Sequence, residues 1–183
     1  VDTASQNKVR TMLGEHGIAE GEILIGVHPG GKPSHRWPAE KFAEAIDAIN
    51  GKIKARFIIT GDGEDASTAK TIIGYSKAEL IDATGVLSLG ELGALIARCN
   101  LYICNDTAAM HIAAVLKVPL IAIFGPGYLK RFDPRNIMKD AIVISKGTAC
   151  GPCEKKACRS MECLEAIAPD EVAGAALKLL KVI

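Results

Sequence analysis

The segment Leu101-Tyr102-Ile103-Cys104, Asn105-Asp106-Thr107, a helix-forming run from Thr107 to Leu116, and then Leu120-Ile121-Ala122-Ile123-Phe124 decides the fold. Two continuous apolar runs, each four or five residues long, read as strands buried on both faces, because neither side alternates with polar residues. A helix between two such strands makes a parallel crossover. The same unit repeats outward in both directions. Toward the amino end come Ile23-Leu24-Ile25-Gly26-Val27 and Arg56-Phe57-Ile58-Ile59-Thr60, with a weaker strand at Leu80-Ile81-Asp82-Ala83. Toward the carboxyl end a last strand is expected at Ala141 to Ile144.

Helices fill the intervals. A capped amphipathic helix fits Ser5 to His16, with Val9, Met12 and Leu13 on one face. Pro38 suits the first turn of a helix running through Phe42, Ala45, Ile46 and Ile49 to Asn50-Gly51, since its missing N–H has no partner there anyway. Gly61-Asp62-Gly63 turns into a third helix, Leu89 to Arg98 forms a fourth, and Asp170 to Leu180 closes the chain. The alternation predicts an α/β, Rossmann-like, doubly wound parallel sheet of about six strands. Residues 1–22 are expected to be a lead-in helix or interdomain linker, and 23–183 the domain proper.

Composition narrows the function classes. The chain has 183 residues, 49% hydrophobic and 23% charged, with 22 basic against 21 acidic side chains and a formal net charge of +1. Such balance offers no electrostatic footprint for nucleic acid and no polybasic membrane anchor. The apolar run 118–124 is far short of the roughly 20 residues needed to cross a bilayer. The polar amino end has no signal-peptide core, which predicts a cytoplasmic protein. The chain opens on Val1-Asp2-Thr3 without an initiator Met, as a fragment does, although a removed leader gives the same appearance.

In a parallel α/β sheet, ligands bind beyond the carboxyl ends of the strands. Four segments lie there: His28-Pro29-Gly30-Gly31, Gly61-Asp62-Gly63-Glu64-Asp65, Asn105-Asp106-Thr107-Ala108 and Phe124-Gly125-Pro126-Gly127. Each alone also reads as a plain tight turn; together they mark one edge. Asp106 or Thr107 is expected to cap the following helix, whose free N–H groups and dipole suit a diphosphate. His111 lies one turn on; a core histidine is the other reading. The chain has neither G-x-G-x-x-G after its first strand nor G-x-x-x-x-G-K-[ST], which disfavours a nicotinamide enzyme and a P-loop NTPase.

The sequence His28-Pro29-Gly30-Gly31, followed by Arg36-Trp37-Pro38 and Phe42, resembles the opening of the carboxyl-terminal domain of glycosyltransferase family 9, which includes the ADP-heptose:lipopolysaccharide heptosyltransferases. The likeness continues through Gly61-Asp62-Gly63-Glu64, Leu87-Ser88-Leu89-Gly90-Glu91-Leu92, Asn105 to Ala114, Pro119, Phe124-Gly125-Pro126 and the Cys-rich tail. It implies the donor-binding half of a GT-B enzyme that transfers heptose from ADP-heptose, with inversion, to a lipopolysaccharide inner-core acceptor. It further implies that the amino-terminal acceptor domain, with the general base, is not in these residues. Peripheral association with the inner membrane face and no required cofactor are also implied. By position, Gly30, Gly31, His35, Arg36, Asp106, Thr107, Ala108 and His111 would lie on the donor's phosphate and sugar side. Gly61, Glu64, Leu87, Ser88 and Leu89 would lie on the nucleotide side. A non-catalytic nucleotide-sugar-binding module and a GT-B-like sugar-nucleotide epimerase are the alternatives.

One departure from the resemblance matters. Family members often carry a Lys where this chain has His35, which leaves Arg36 or Lys32 to offset phosphate charge. The cysteines divide in two. Cys99 and Cys104 read as small core residues. Cys150, Cys153, Cys158 and Cys163 form C-x2-C-x4-C-x4-C in the loop 150–163, a spacing open to structural zinc, reduced thiols, disulfides or, with no other support, an iron–sulfur cluster.

Overall fold

The structure, a computed structural model, describes residues 1–153 and 158–182. Strands β1 (Leu24–His28), β2 (Arg56–Gly61), β3 (Leu80–Thr84), β4 (Leu101–Asn105), β5 (Leu120–Phe124) and β6 (Ile142–Ser145) form one sheet. Their order is β3-β2-β1-β4-β5-β6, and every neighbouring pair is parallel. The expected doubly wound sheet is therefore present. The helices are α1 (Thr3–Glu15), α2 (Ala39–Asn50), α3 (Ala66–Tyr75), α4 (Leu89–Arg98), α5 (Ala108–Val115), α6 (Leu129–Phe132), α7 (Glu162–Glu165) and α8 (Pro169–Leu179). None of the described helices is long and apolar enough to cross a membrane.

Successive strand side chains point to opposite faces, so the sheet divides the core in two. Ile25, Val27, Phe57, Ile59, Ile103, Ile121 and Ile123 pack with Phe42, Ile46 and Ile49 of α2, Ile72 of α3 and Val172 of α8. Leu24, Ile58, Tyr102, Cys104, Leu120 and Phe124 face the other way, against Val9 and Leu13 of α1, Leu95 and Ile96 of α4, and Met110 of α5. Cys99 and Cys104 are buried in that second core, as expected of small apolar side chains. Helix α1 lies on α4, so part of the segment 1–22 belongs to this layer.

Boundaries moved by one or two residues where a cap decides them. Helix α1 starts at Thr3 because the Asp2 carboxylate accepts the Ser5 N–H at 2.9 Å, which satisfies one of the free donors of the first turn. Pro38 is the residue before α2 rather than a member of its first turn. A short 3-10 turn, Gly63–Asp65, precedes α3. Ser88 caps α4 reciprocally with Glu91: the Ser88 hydroxyl accepts the Glu91 N–H, and Glu91 accepts the Ser88 N–H at 2.7 Å.

Gly26 lies in the middle of β1, opposite the buried ring of Tyr102. A Cβ there would collide with that ring and stand 3.1 Å from Cys99 Sγ. Overpacking of this kind is opposed by the packed core. Gly26→Ala is expected to destabilise the fold by about 1–3 kcal/mol, read as a lower urea midpoint at unchanged slope.

Candidate functional site

Strands β1 and β4 are neighbours, yet their chains leave in opposite directions. The chain after β1 passes to α2 on one face of the sheet, and the chain after β4 to α5 on the other. A crevice opens between diverging loops at such a switch point. Two internal braces set its shape.

The first brace is Asn105, the fully buried last residue of β4. Its Oδ1 accepts the Trp37 N–H at 3.1 Å, and its Nδ2 donates to the carbonyls of Pro29 at 2.8 Å and Gly30 at 3.1 Å. One side chain thus stitches both ends of the loop after β1. Trp37 is anchored in turn through its indole N–H to Ile167 O and by an edge contact with Phe42 at 4.9 Å.

The second brace is Asp65, which is 3% exposed. Its Oδ2 accepts the Asp62 N–H at 3.1 Å. Its Oδ1 makes no hydrogen bond of good geometry, and is answered by the Arg36 guanidinium with Nη2 at 2.8 Å. Arg36 Nε also donates to Gly31 O at 2.6 Å. A Cβ on Gly30 would stand 2.9 Å from Asp65 Cγ, and one on Gly61 would stand 2.7 Å from Asp65 Cβ. These two glycines make room for a carboxylate. Gly31 has φ +126°, a backbone that favours glycine, and lies against the Thr107 methyl. Beneath this loop, His28 Nδ1 meets Thr60 Oγ1 at 3.1 Å, and Thr60 meets the Tyr102 hydroxyl at 2.6 Å. Burial pushes the His28 imidazole below its ordinary pKa, against the pull of Asp65.

On this frame sits a cavity of about 280 Å3. Lys32 and His35 line it from the loop after β1. Asp106, Thr107, Ala108 and His111 line it from the start of α5, with Gly127, Tyr128, Phe132 and Cys153 opposite. Thr107 occupies the N-cap position of α5 but makes no side-chain cap bond. This corrects the expectation that Asp106 or Thr107 closes the helix start: the Thr107 hydroxyl is buried and has no hydrogen-bond partner among the described residues. A buried hydroxyl left unpaired costs about 1–3 kcal/mol. The first turn also keeps N–H groups with no intrahelical acceptor. Burial raises the Asp106 carboxyl above its ordinary pKa, while His111 and Lys32 pull it back. Gly127 gives that carboxylate its space, since a Cβ there would stand 2.5 Å from Asp106 Oδ2. The cavity therefore joins anion-receiving donors to a carboxylate able to accept hydroxyl protons.

Of the residues singled out in the sequence, His35, Asp106, Thr107, Ala108 and His111 share this cavity. Gly30, Gly31 and Arg36 stand behind it as the frame, with Arg36 engaged by Asp65 and Gly31. Gly61 is part of the same frame. Glu64 is exposed at the neighbouring turn. Leu87 packs partly into the second core, Ser88 is the α4 cap and Leu89 is 73% exposed; none of the three lines the cavity. Sequence reading did not assign roles to Asn105, Asp65, Tyr128 or Phe132. The one available signal was a polar Asn ending an otherwise apolar strand.

Of the four clustered cysteines, Cys150 is exposed, Cys153 and Cys158 are half-buried, and Cys163 is buried. Among the described residues, no three His, Cys, Asp or Glu side chains gather closely enough to hold a metal ion. A second cleft, between α1 and α4, is lined by Val9, Leu13, Ala94, Ala97, Arg10 and Arg98, and no strand end contributes to it.

Comparison with known proteins identifies the family. The family model described as glycosyltransferase family 9 (heptosyltransferase) matches residues 4–164. A lipooligosaccharide heptosyltransferase 2 of Campylobacter jejuni is 30% identical over 172 residues, covering 90% of this chain and 53% of that protein. The crystal structure of a family 9 glycosyl transferase from Veillonella parvula superposes with a TM-score of 0.82 at 28% identity, over 100% of this chain and 53% of that one. The E. coli ADP-heptose lps heptosyltransferase II gives 0.79 at 25% identity, again over 100% and 53%. The chain thus spans about half the length of the relatives it matches. With the family model covering most of its residues and a parallel doubly wound sheet to match, the chain belongs to glycosyltransferase family 9.

Proposed function

We propose that this chain binds the nucleotide-sugar donor of a heptosyl transfer, with ADP-heptose as the donor and a lipopolysaccharide-type core glycan as the acceptor. The observation that carries the proposal is the unpartnered Thr107 hydroxyl at the first turn of α5, buried in the wall of the switch-point cavity. A diphosphate oxygen is the group that would answer both that hydroxyl and the free N–H donors beside it. The likeness to the Campylobacter lipooligosaccharide heptosyltransferase 2 and the E. coli ADP-heptose lps heptosyltransferase II supports the donor and acceptor class.

In the transfer, an acceptor hydroxyl attacks the anomeric carbon as the bond to the β-phosphate oxygen breaks. One displacement inverts the centre. Negative charge grows on the departing ADP, and fixed donors at a helix start stabilise that charge without reorganising. Asp106, across from Lys32, would accept hydrogen bonds from heptose hydroxyls. No metal is required by this scheme. The general base would come from residues outside this chain, so the chain alone would bind donor and transfer nothing.

Calorimetry of ADP and ADP-heptose tests the proposal. Thr107→Val keeps the shape and removes the hydroxyl, and should weaken both ligands by about 1.5–3 kcal/mol. Asp106→Ala should weaken ADP-heptose more than ADP. If both variants melt like the parent and bind both ligands unchanged, the donor site lies elsewhere.

Asp106 also makes a prediction about stability. Its folded pKa stands above the ordinary carboxyl value of 3.8 because burial disfavours the charge. The charged form is therefore less favourable folded than unfolded, and this penalty is present at neutral pH and vanishes once both states are protonated. Asp106→Asn should raise Tm at pH 7, with the gain closing as pH falls through the carboxylate range. Equal melting at pH 7 would contradict a site residue held against the interest of the fold.

A further inference from the structure

Two cations four residues apart, Lys32 and Arg36, flank the loop after β1, and the structure gives them different work. Arg36 is turned inward. Its guanidinium reaches Asp65 at 2.8 Å and the Gly31 carbonyl at 2.6 Å, and both partners belong to the frame of the site. A guanidinium committed to a buried carboxylate is not free to neutralise a ligand without leaving that carboxylate unanswered. His35 lines the cavity, but its ring is buried and its Nδ1 meets the Ser34 hydroxyl at 3.0 Å. Lys32 differs from both. It is exposed and lines the same cavity wall, and its ammonium has no ion-pair or hydrogen-bond partner among the described residues.

Lys32 immediately precedes the turn Pro33–His35, whose first residue has a fixed φ. Its own backbone is extended, with φ −62° and ψ 141°, and the His35 N–H donates to its carbonyl at 2.8 Å. The stem of the side chain thus starts from a defined backbone while the ammonium stays exposed. Asp106 feels that ammonium across the cavity. Phosphate entering between them would meet the cation on one wall and the carboxylate on the other, and this polarity turns the diphosphate toward Lys32 and the sugar toward Asp106. An ammonium on a flexible stem suits this task, because it meets phosphate as a point charge and needs no fork geometry.

We infer that Lys32 is the cation that binds the donor's diphosphate, and that Arg36 is a positioning residue that never touches it. This rests on the proposed donor cavity and deepens it. The test is calorimetry at two salt concentrations with ADP and with adenosine, on the unaltered chain, Lys32→Met, Lys32→Arg and Arg36→Met. Lys32→Met should melt like the parent, bind ADP at least tenfold more weakly, lose most of the salt dependence of ADP binding, and bind adenosine within twofold of the parent. Lys32→Arg should recover ADP binding to within about threefold, since the charge is restored. Arg36→Met should lower Tm, which Lys32→Met does not. ADP binding by Lys32→Met within twofold of the parent, with the same salt dependence, would overturn the inference and leave the donor cavity intact. Absence of ADP binding by the unaltered chain would overturn both.

Discussion

The Asp65 carboxylate, buried beneath Gly30 and Gly61 and answered by Arg36, is the interaction on which the rest of the site depends. It joins two separate stretches of chain: the loop between β1 and α2, and the turn after β2. A buried carboxylate tolerates its surroundings only while its counter-charge and hydrogen bonds hold, so loss of either partner leaves an uncompensated charge. Together with Asn105, which grips the same loop from β4, it makes the carboxyl edge of the sheet rigid. A cavity built from loops gains its precision from such supports.

What the frame supports is the reverse of a satisfied core. Thr107 keeps a buried hydroxyl without a partner among the described residues, and Asp106 keeps a carboxylate in a place that disfavours its charge. Lys32 stays exposed while Arg36 beside it is engaged. Polar groups left unmatched by the fold, gathered beside groups the fold matches fully, are the pattern expected of a ligand site and its supports.

The strand–helix alternation was legible because each central strand is apolar on both faces, and only a sheet covered on both sides produces that pattern. Its edges were less so: β6 begins one residue later than the apolar run implies, and caps such as Asp2 moved the helix starts. The site was legible as a place and less so as a set of roles. Gly30 and Gly61 looked like backbone left open for a ligand, but their missing Cβ atoms make space for Asp65, a partner four residues from one and thirty-five from the other. Arg36 looked like a phosphate cation for the same reason, since no local pattern shows that a distant carboxylate has claimed it. Asn105 was hidden by being a single polar residue at a strand end. Thr107 was expected to cap α5 and stands in that position without making the bond.

The central claim is that the donor enters the crevice between β1 and β4. Amide chemical-shift mapping of the isotopically labelled chain during an ADP titration tests it most directly, because it reads every backbone position at once. The account predicts saturable shifts concentrated at residues 30–32 and 106–111, with little change along α1. Shifts concentrated instead in the cleft between α1 and α4, with residues 106–111 unmoved, would contradict it.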